Sequence, residues 1–117
     1  MVQNLRAYNQ LFANYACMHA CMQSFWPPEM LAGRGQYGKP LDVWQLGCMF
    51  FTCVAFYYPF GDDTRPNFRQ LVNSGAFNEN DIPAAFPQLR ELVRGCLAVD
   101  AAQRPTIEQV LAHPFFA

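Results

Sequence analysis

The sequence has 117 residues, enough for one domain or part of one. Its formal net charge is −1 and its basic residues are scattered, which excludes the electrostatic footprint of a nucleic-acid binder. Hydrophobic residues make up 52% and charged residues 15%, against about 25% charged in ordinary proteins, so the chain reads as the inside of something larger with a face meant to be covered.

The first residues, MVQNLRAYNQ, show no basic stretch followed by an apolar one, and the five cysteines read as reduced, buried thiols of a cytoplasmic protein. From Val2 to Met22 the residues Leu5, Tyr8, Leu11, Phe12, Tyr15 and Ala16 keep a helical period, so residues 1–23 are taken as a helical segment of uncertain origin. Character changes at Gln23. Pro27 and Pro28 force the residues before them into extended or turn geometry, and Pro28 can open a short helix through Leu31. Ala32 to Gly38 is a glycine-rich loop.

Leu41 to Phe60 (LDVWQLGCMFFTCVAFYYPF) is the stretch around which the rest is organised. Asp42 is its only charge, and apolar side chains fall on every face at helical spacing. Such a helix is either a core or a membrane span. A span needs about 20 apolar residues, whereas Pro59 breaks this run and no Lys/Arg cluster flanks it. The reading is a buried helix over 41–56, opened by Pro40 or Asp42, with the other helices packed around it.

Gly61 to Arg65 is a polar turn in which Asp63 or Thr64 can cap a helix opening near Pro66, with Phe68, Leu71 and Val72 inward and Gly75 as its C-cap. Pro87 to Leu97 places Leu89, Leu92, Val93, Cys96 and Leu97 inward. A loop, 98–105, leads to Thr106, which opens the last helix with a capping box to Gln109. Ile107, Val110 and Leu111 are expected inward, and Pro114 is the stop. The predicted class is all-α: about six short helices around one apolar helix, with no strand.

Four pieces, in this order and spacing, resemble the second half of a protein kinase C-terminal lobe. Pro27-Pro28-Glu29 resembles the Ala-Pro-Glu that closes the activation segment. Asp42-Val43-Trp44-Gln45-Leu46-Gly47 is similar to the Asp-x-Trp-Ser-x-Gly opening of the kinase central helix, and Pro59-Phe60 to the Pro-Phe that follows it. Arg104-Pro105-Thr106 through His113-Pro114-Phe115-Phe116 resembles the end of the domain. The resemblance covers residues 24–117 as a partial kinase domain of serine/threonine type. A further set, Pro28-Glu29-Met30-Leu31, Gly47-Cys48-Met49-Phe50-Phe51, Pro59-Phe60-Gly61-Asp62 and the His113–Phe116 ending, looks like the kinase half of the unfolded-protein sensor kinase/ribonucleases.

The resemblance implies roles. Glu29 and Arg104 would form a buried structural ion pair, for which a planar guanidinium suits a carboxylate. Asp42 and Trp44 would anchor the catalytic loop, Asp42 by accepting its amides; by its local sequence alone Asp42 also reads as an ordinary N-cap. Ser24, Phe25, Trp26 and Pro27 would form the substrate-side loop. Nothing in the sequence resembles the Gly-rich nucleotide loop, the strand lysine, His-Arg-Asp or Asp-Phe-Gly. The family's Gly-Thr ahead of the Glu falls on Cys21 and Met22, and Phe56 stands for its usual Gly, Thr52 for its Glu and Ala101 for its Pro. The chain is therefore expected to carry no catalytic, cofactor or metal residues of its own, although the intact family uses ATP and Mg.

Two rival chemistries fit the sequence less well. Cys17, His19 and Cys21 invite a zinc reading, but His19 points away from the face the two cysteines share on a helix, and a structural site wants four ligands. Cys–His nucleophilic catalysis would need an ordered pair and a third orienting group. The function expected is that of a partial, inactive kinase domain. The alternatives are a non-catalytic, pseudokinase-derived helical interaction module and, more weakly, a small membrane-associated protein. Expected partners are another protein or the remaining N-terminal portion of a kinase, with self-association through apolar surface left uncovered.

Overall fold

Proline and glycine punctuate the fold where the sequence leads one to expect. The structure, a computed structural model, describes residues 23–33 and 38–116. Helix α1 spans Pro28–Leu31, α2 Lys39–Ala55, α3 Phe68–Ser74, α4 Pro87–Cys96 and α5 Ile107–Leu111. Single 3-10 turns lie at Gln23–Phe25, Glu79–Asp81, Ala101–Gln103 and Pro114–Phe116. Among the described residues there is no strand, and the all-α class read from periodicity holds. The expected helix over Val2–Met22 lies outside the described residues.

Helix α2 is the axis. It starts at Lys39, earlier than expected, because Pro40 sits in the first turn, where a missing N–H costs nothing. Val43, Trp44, Leu46, Cys48, Phe50 and Phe51 are buried in one core with Leu89, Leu92, Val93 and Cys96 of α4, its chief partner. Gly47 sets the approach of these two helices, since a Cβ there would stand 2.6 Å from Cys96 Cβ. Aromatic rings continue the core past the end of α2. Trp44 stacks on Phe60 at 5.3 Å, and Phe77 meets both Phe60 and Phe51 edge-on.

The local signals for caps have mixed outcomes. Gly75 ends α3 in the left-handed region (φ 66°), with the Ala76 amide returning to the Leu71 carbonyl. Thr106 and Gln109 form the reciprocal capping box of α5. By contrast, neither Asp63 nor Thr64 caps α3. That helix opens at Phe68 after Asn67, beyond the reach of either side chain, and Asp63 Oδ1 instead accepts from the Ser24 hydroxyl.

Two burial expectations are corrected. Leu111 is 60% exposed, not inward. Helix α5 has only five residues and presents a single face to the core, which Val110 fills. The last turn of α2 is also less covered than an all-apolar helix requires: Cys53 is exposed, Val54 and Ala55 are half-buried, and Phe56 beyond them is almost wholly in water. No helix among the described residues is long and apolar enough to cross a membrane.

Candidate functional site

The side chains singled out in the sequence converge on the N-terminal half of α2. Pro27, in extended geometry (φ −73°, ψ 169°), is followed by α1, whose first turn carries Glu29. Arg104 ends the 3-10 turn at Ala101–Gln103, which Asp100 caps by accepting the Ala102 amide. This places the guanidinium between α1 and α2. Its Nη1 lies 2.6 Å from Glu29 Oε1 and its Nη2 3.0 Å from Oε2, a fork-on-fork pair. The Arg104 side chain is wholly buried while that of Glu29 is 22% exposed.

Arg104 also donates to three carbonyls, those of Pro40 in the first turn of α2 and of Ala98 and Val99 after α4. Its guanidinium carbon lies 4.9 Å from the centre of the Trp44 ring. A buried charge is tolerable only when paired and fully hydrogen-bonded, and every nitrogen of this guanidinium has a partner. Trp44 is buried between Arg104 and Phe60, yet its indole Nε1–H has no partner among the described residues, and the same holds for Gln45 Nε2 one position on.

Asp42 is not brought into this cluster. Its carboxylate is exposed, caps nothing, and has no hydrogen-bond partner among the described residues. Partial burial nonetheless raises its pKa above the ordinary value of 3.8.

The segment Ser24–Pro27 packs on the connection after α2. Ser24 and Phe25 are buried; the Phe25 ring meets Tyr58 edge-on at 5.0 Å. The Ser24 hydroxyl accepts the Asp63 amide at 3.2 Å and donates toward Asp63 Oδ1 at 3.5 Å. Tyr58 and the Pro40 carbonyl are contributors that sequence reasoning missed, and it singled out Phe60 and Asp63 without these contacts. The polar cluster Asp62-Asp63-Thr64 was visible, but its partner 39 positions away was not.

The described residues offer little for other chemistry. No three His, Cys, Asp or Glu side chains among them gather to hold a metal ion. Cys17, His19 and Cys21 lie outside the described residues. Burial pushes the Cys48 thiol far up and that of Cys96 to about 12, the reverse of what a nucleophile needs. His113 accepts the Phe115 amide at Nδ1 and faces Glu91 at 3.7 Å.

Comparison with known proteins agrees with this geometry. The family described as Protein kinase domain matches residues 7–116. Tribbles homolog 2 of Bos taurus is 35% identical over 101 residues, covering 85% of this chain and 28% of that protein. CBL-interacting protein kinase 29 of Oryza sativa subsp. japonica is 36% identical over 90 residues, covering 76% of this chain and 20% of that protein. The chain thus spans under a third of the relatives it matches. A crystal structure of the Rad53 kinase domain and SCD2 in complex with AMPPNP superposes with a TM-score of 0.68 over 80% of this chain and 38% of that one, at 24% identity.

Proposed function

Since the chain belongs to the protein kinase family, we propose that it serves as the substrate-side half of a kinase C-terminal lobe, a helical frame that transfers no phosphate by itself. The family normally uses ATP and Mg and works by positioning and electrostatics: metal-holding acids, a phosphate-cradling loop and a residue that orients the nucleophile. The sequence contains none of the motifs that carry these parts. What it has is the framework around α2, in which Glu29 and Arg104 act as the structural pair, Trp44 and Asp42 as the anchor for a second polypeptide segment, and Ser24–Pro27 as the substrate-side loop.

The observation that carries this reading is the contrast between Arg104, which has every donor engaged, and Asp42, whose carboxylate has no hydrogen-bond partner among the described residues. Asp42, exposed in the first turn of α2, presents acceptors suited to the backbone amides of another chain segment. The occupant is the catalytic-loop portion of a kinase domain or, in the second reading, a protein that docks there in its place. In an assay with Mg-ATP and a generic serine/threonine substrate protein, the chain should transfer no phosphate. Transfer above background would contradict the reading.

A further inference from the structure

Helix α5 hands the chain to its closing turn through one side chain. Pro114 has no N–H to give, so the first amide after His113 is that of Phe115. No backbone carbonyl among the described residues takes that amide. It donates instead to His113 Nδ1 at 3.2 Å. An amide N–H can only donate, so Nδ1 carries the lone pair, and the proton of the neutral imidazole sits on Nε2. That nitrogen faces Glu91 Oε1 of α4 at 3.7 Å, too far for a hydrogen bond and near enough for an ion pair. The turn so held, Pro114–Phe116, packs on α4. Phe115 lies half-buried against the core, and the Phe116 ring meets Phe50 of α2 at 5.9 Å.

Protonation changes what this ring can hold. An imidazolium donates from both nitrogens and accepts at neither, so a proton on Nδ1 would meet the Phe115 N–H head-on. The Nε2 side gains, since the ring then carries a full charge opposite Glu91. One proton thus exchanges a bond that holds the turn for an ion pair to α4. His113 and Glu91 both line an open cleft between α4, the 102–105 loop and α5, so the proton can arrive from water. The other charged groups lining the cleft are Arg94 and Arg104, and each already holds a carboxylate, those of Glu79 and Glu29. We propose that His113 is a proton-operated latch: neutral, it fastens the Pro114–Phe116 turn through the Phe115 amide; charged, it lets that amide go and pairs with Glu91. Histidine is the side chain suited to change charge between about pH 5 and 8. The turn loosens rather than leaves, because the Phe116 amide keeps its bond to the His113 carbonyl at 3.0 Å. The inference is independent of whether the chain transfers phosphate.

NMR of the full chain, carrying isotope-labelled histidine and phenylalanine, tests it. Between about pH 8 and about pH 5, the His113 ring nitrogens should pass from the Nε2–H tautomer to the doubly protonated ring. Over the same range the hydrogen-exchange protection of the Phe115 amide should fall several-fold, once the intrinsic pH dependence of exchange is divided out. The comparison is His113→Asn, whose side-chain oxygen accepts the amide two residues on, as in an Asx turn, at every pH. There the Phe115 protection should stay level, although His19, the chain's other histidine, is still present. His113→Ala should show low protection at both ends of the range. Four results would each overturn the proposal: level Phe115 protection in the parent while His113 titrates, a His113 ring that does not titrate in this range, a neutral ring with its proton on Nδ1, or a pH dependence that survives in His113→Asn.

Discussion

Glu29 and Arg104 stand 75 positions apart and meet in a two-pronged pair at 2.6 and 3.0 Å. The same guanidinium holds carbonyls from the start of α2 and from the chain after α4, so one side chain ties three separate segments to the face of Trp44.

Removing one partner should therefore cost far more than removing both. Glu29→Ala leaves a wholly buried guanidinium without its counter-charge, and a loss of about 3–5 kcal/mol is expected. Arg104→Lys should also be costly, because an ammonium cannot hold a carboxylate and three carbonyls at once. The double variant Glu29→Leu/Arg104→Met should recover much of the loss. Urea denaturation of the parent, Glu29→Leu, Arg104→Met and the double variant measures this; additive losses would mean that the two side chains act independently.

Gly47→Ala tests the approach of α2 and α4. An added Cβ falls 2.6 Å from Cys96 Cβ and 3.0 Å from Leu97 Cδ2, so the helices must move apart. A loss of about 1–3 kcal/mol is expected, readable as a lowered melting temperature. Adding Cys96→Ala should not relieve the crowding, because alanine keeps the Cβ at position 96 and Leu97 is unchanged.

Asp42 sets a pH dependence of known sign. Burial raises its pKa above 3.8 even though it stands in the first turn of α2, where the helix dipole favours the charged form. The folded chain thus holds this proton more tightly than the unfolded one. Its contribution to stability is complete below the ordinary pKa and is lost as pH rises through the raised one. Asp42→Asn should leave stability near neutral pH unchanged or slightly higher, and should flatten the pH–stability curve just above 3.8. The effect will be small, because water screens an exposed carboxylate. A clear loss of stability in Asp42→Asn at neutral pH would mean that the carboxylate has a favourable partner.

The parts of the fold written in local chemistry were legible in the sequence. The extent of α4, the glycine cap of α3 and the capping box of α5 each depend on residues within one or two turns. The all-α class and the family followed from an ordered set of such pieces. Features decided by distant neighbours were not legible. Asp63 had the chemistry of a helix cap, but its carboxylate oxygen accepts from the distant Ser24 hydroxyl and the helix opens only after Asn67. Leu111 kept the period of an inward residue on a helix too short to bury a second row. The composition of α2 promised cover on all sides, yet its last turn ends with Phe56 in water, because burial is set by what packs against a helix rather than by the helix itself.

The central claim is that this chain is kinase framework without the nucleotide-binding and catalytic parts. Isothermal titration calorimetry of the full chain with Mg-ATP tests it most directly. The account predicts no saturable heat up to millimolar nucleotide; stoichiometric binding at micromolar affinity, roughly −8 kcal/mol, would contradict it.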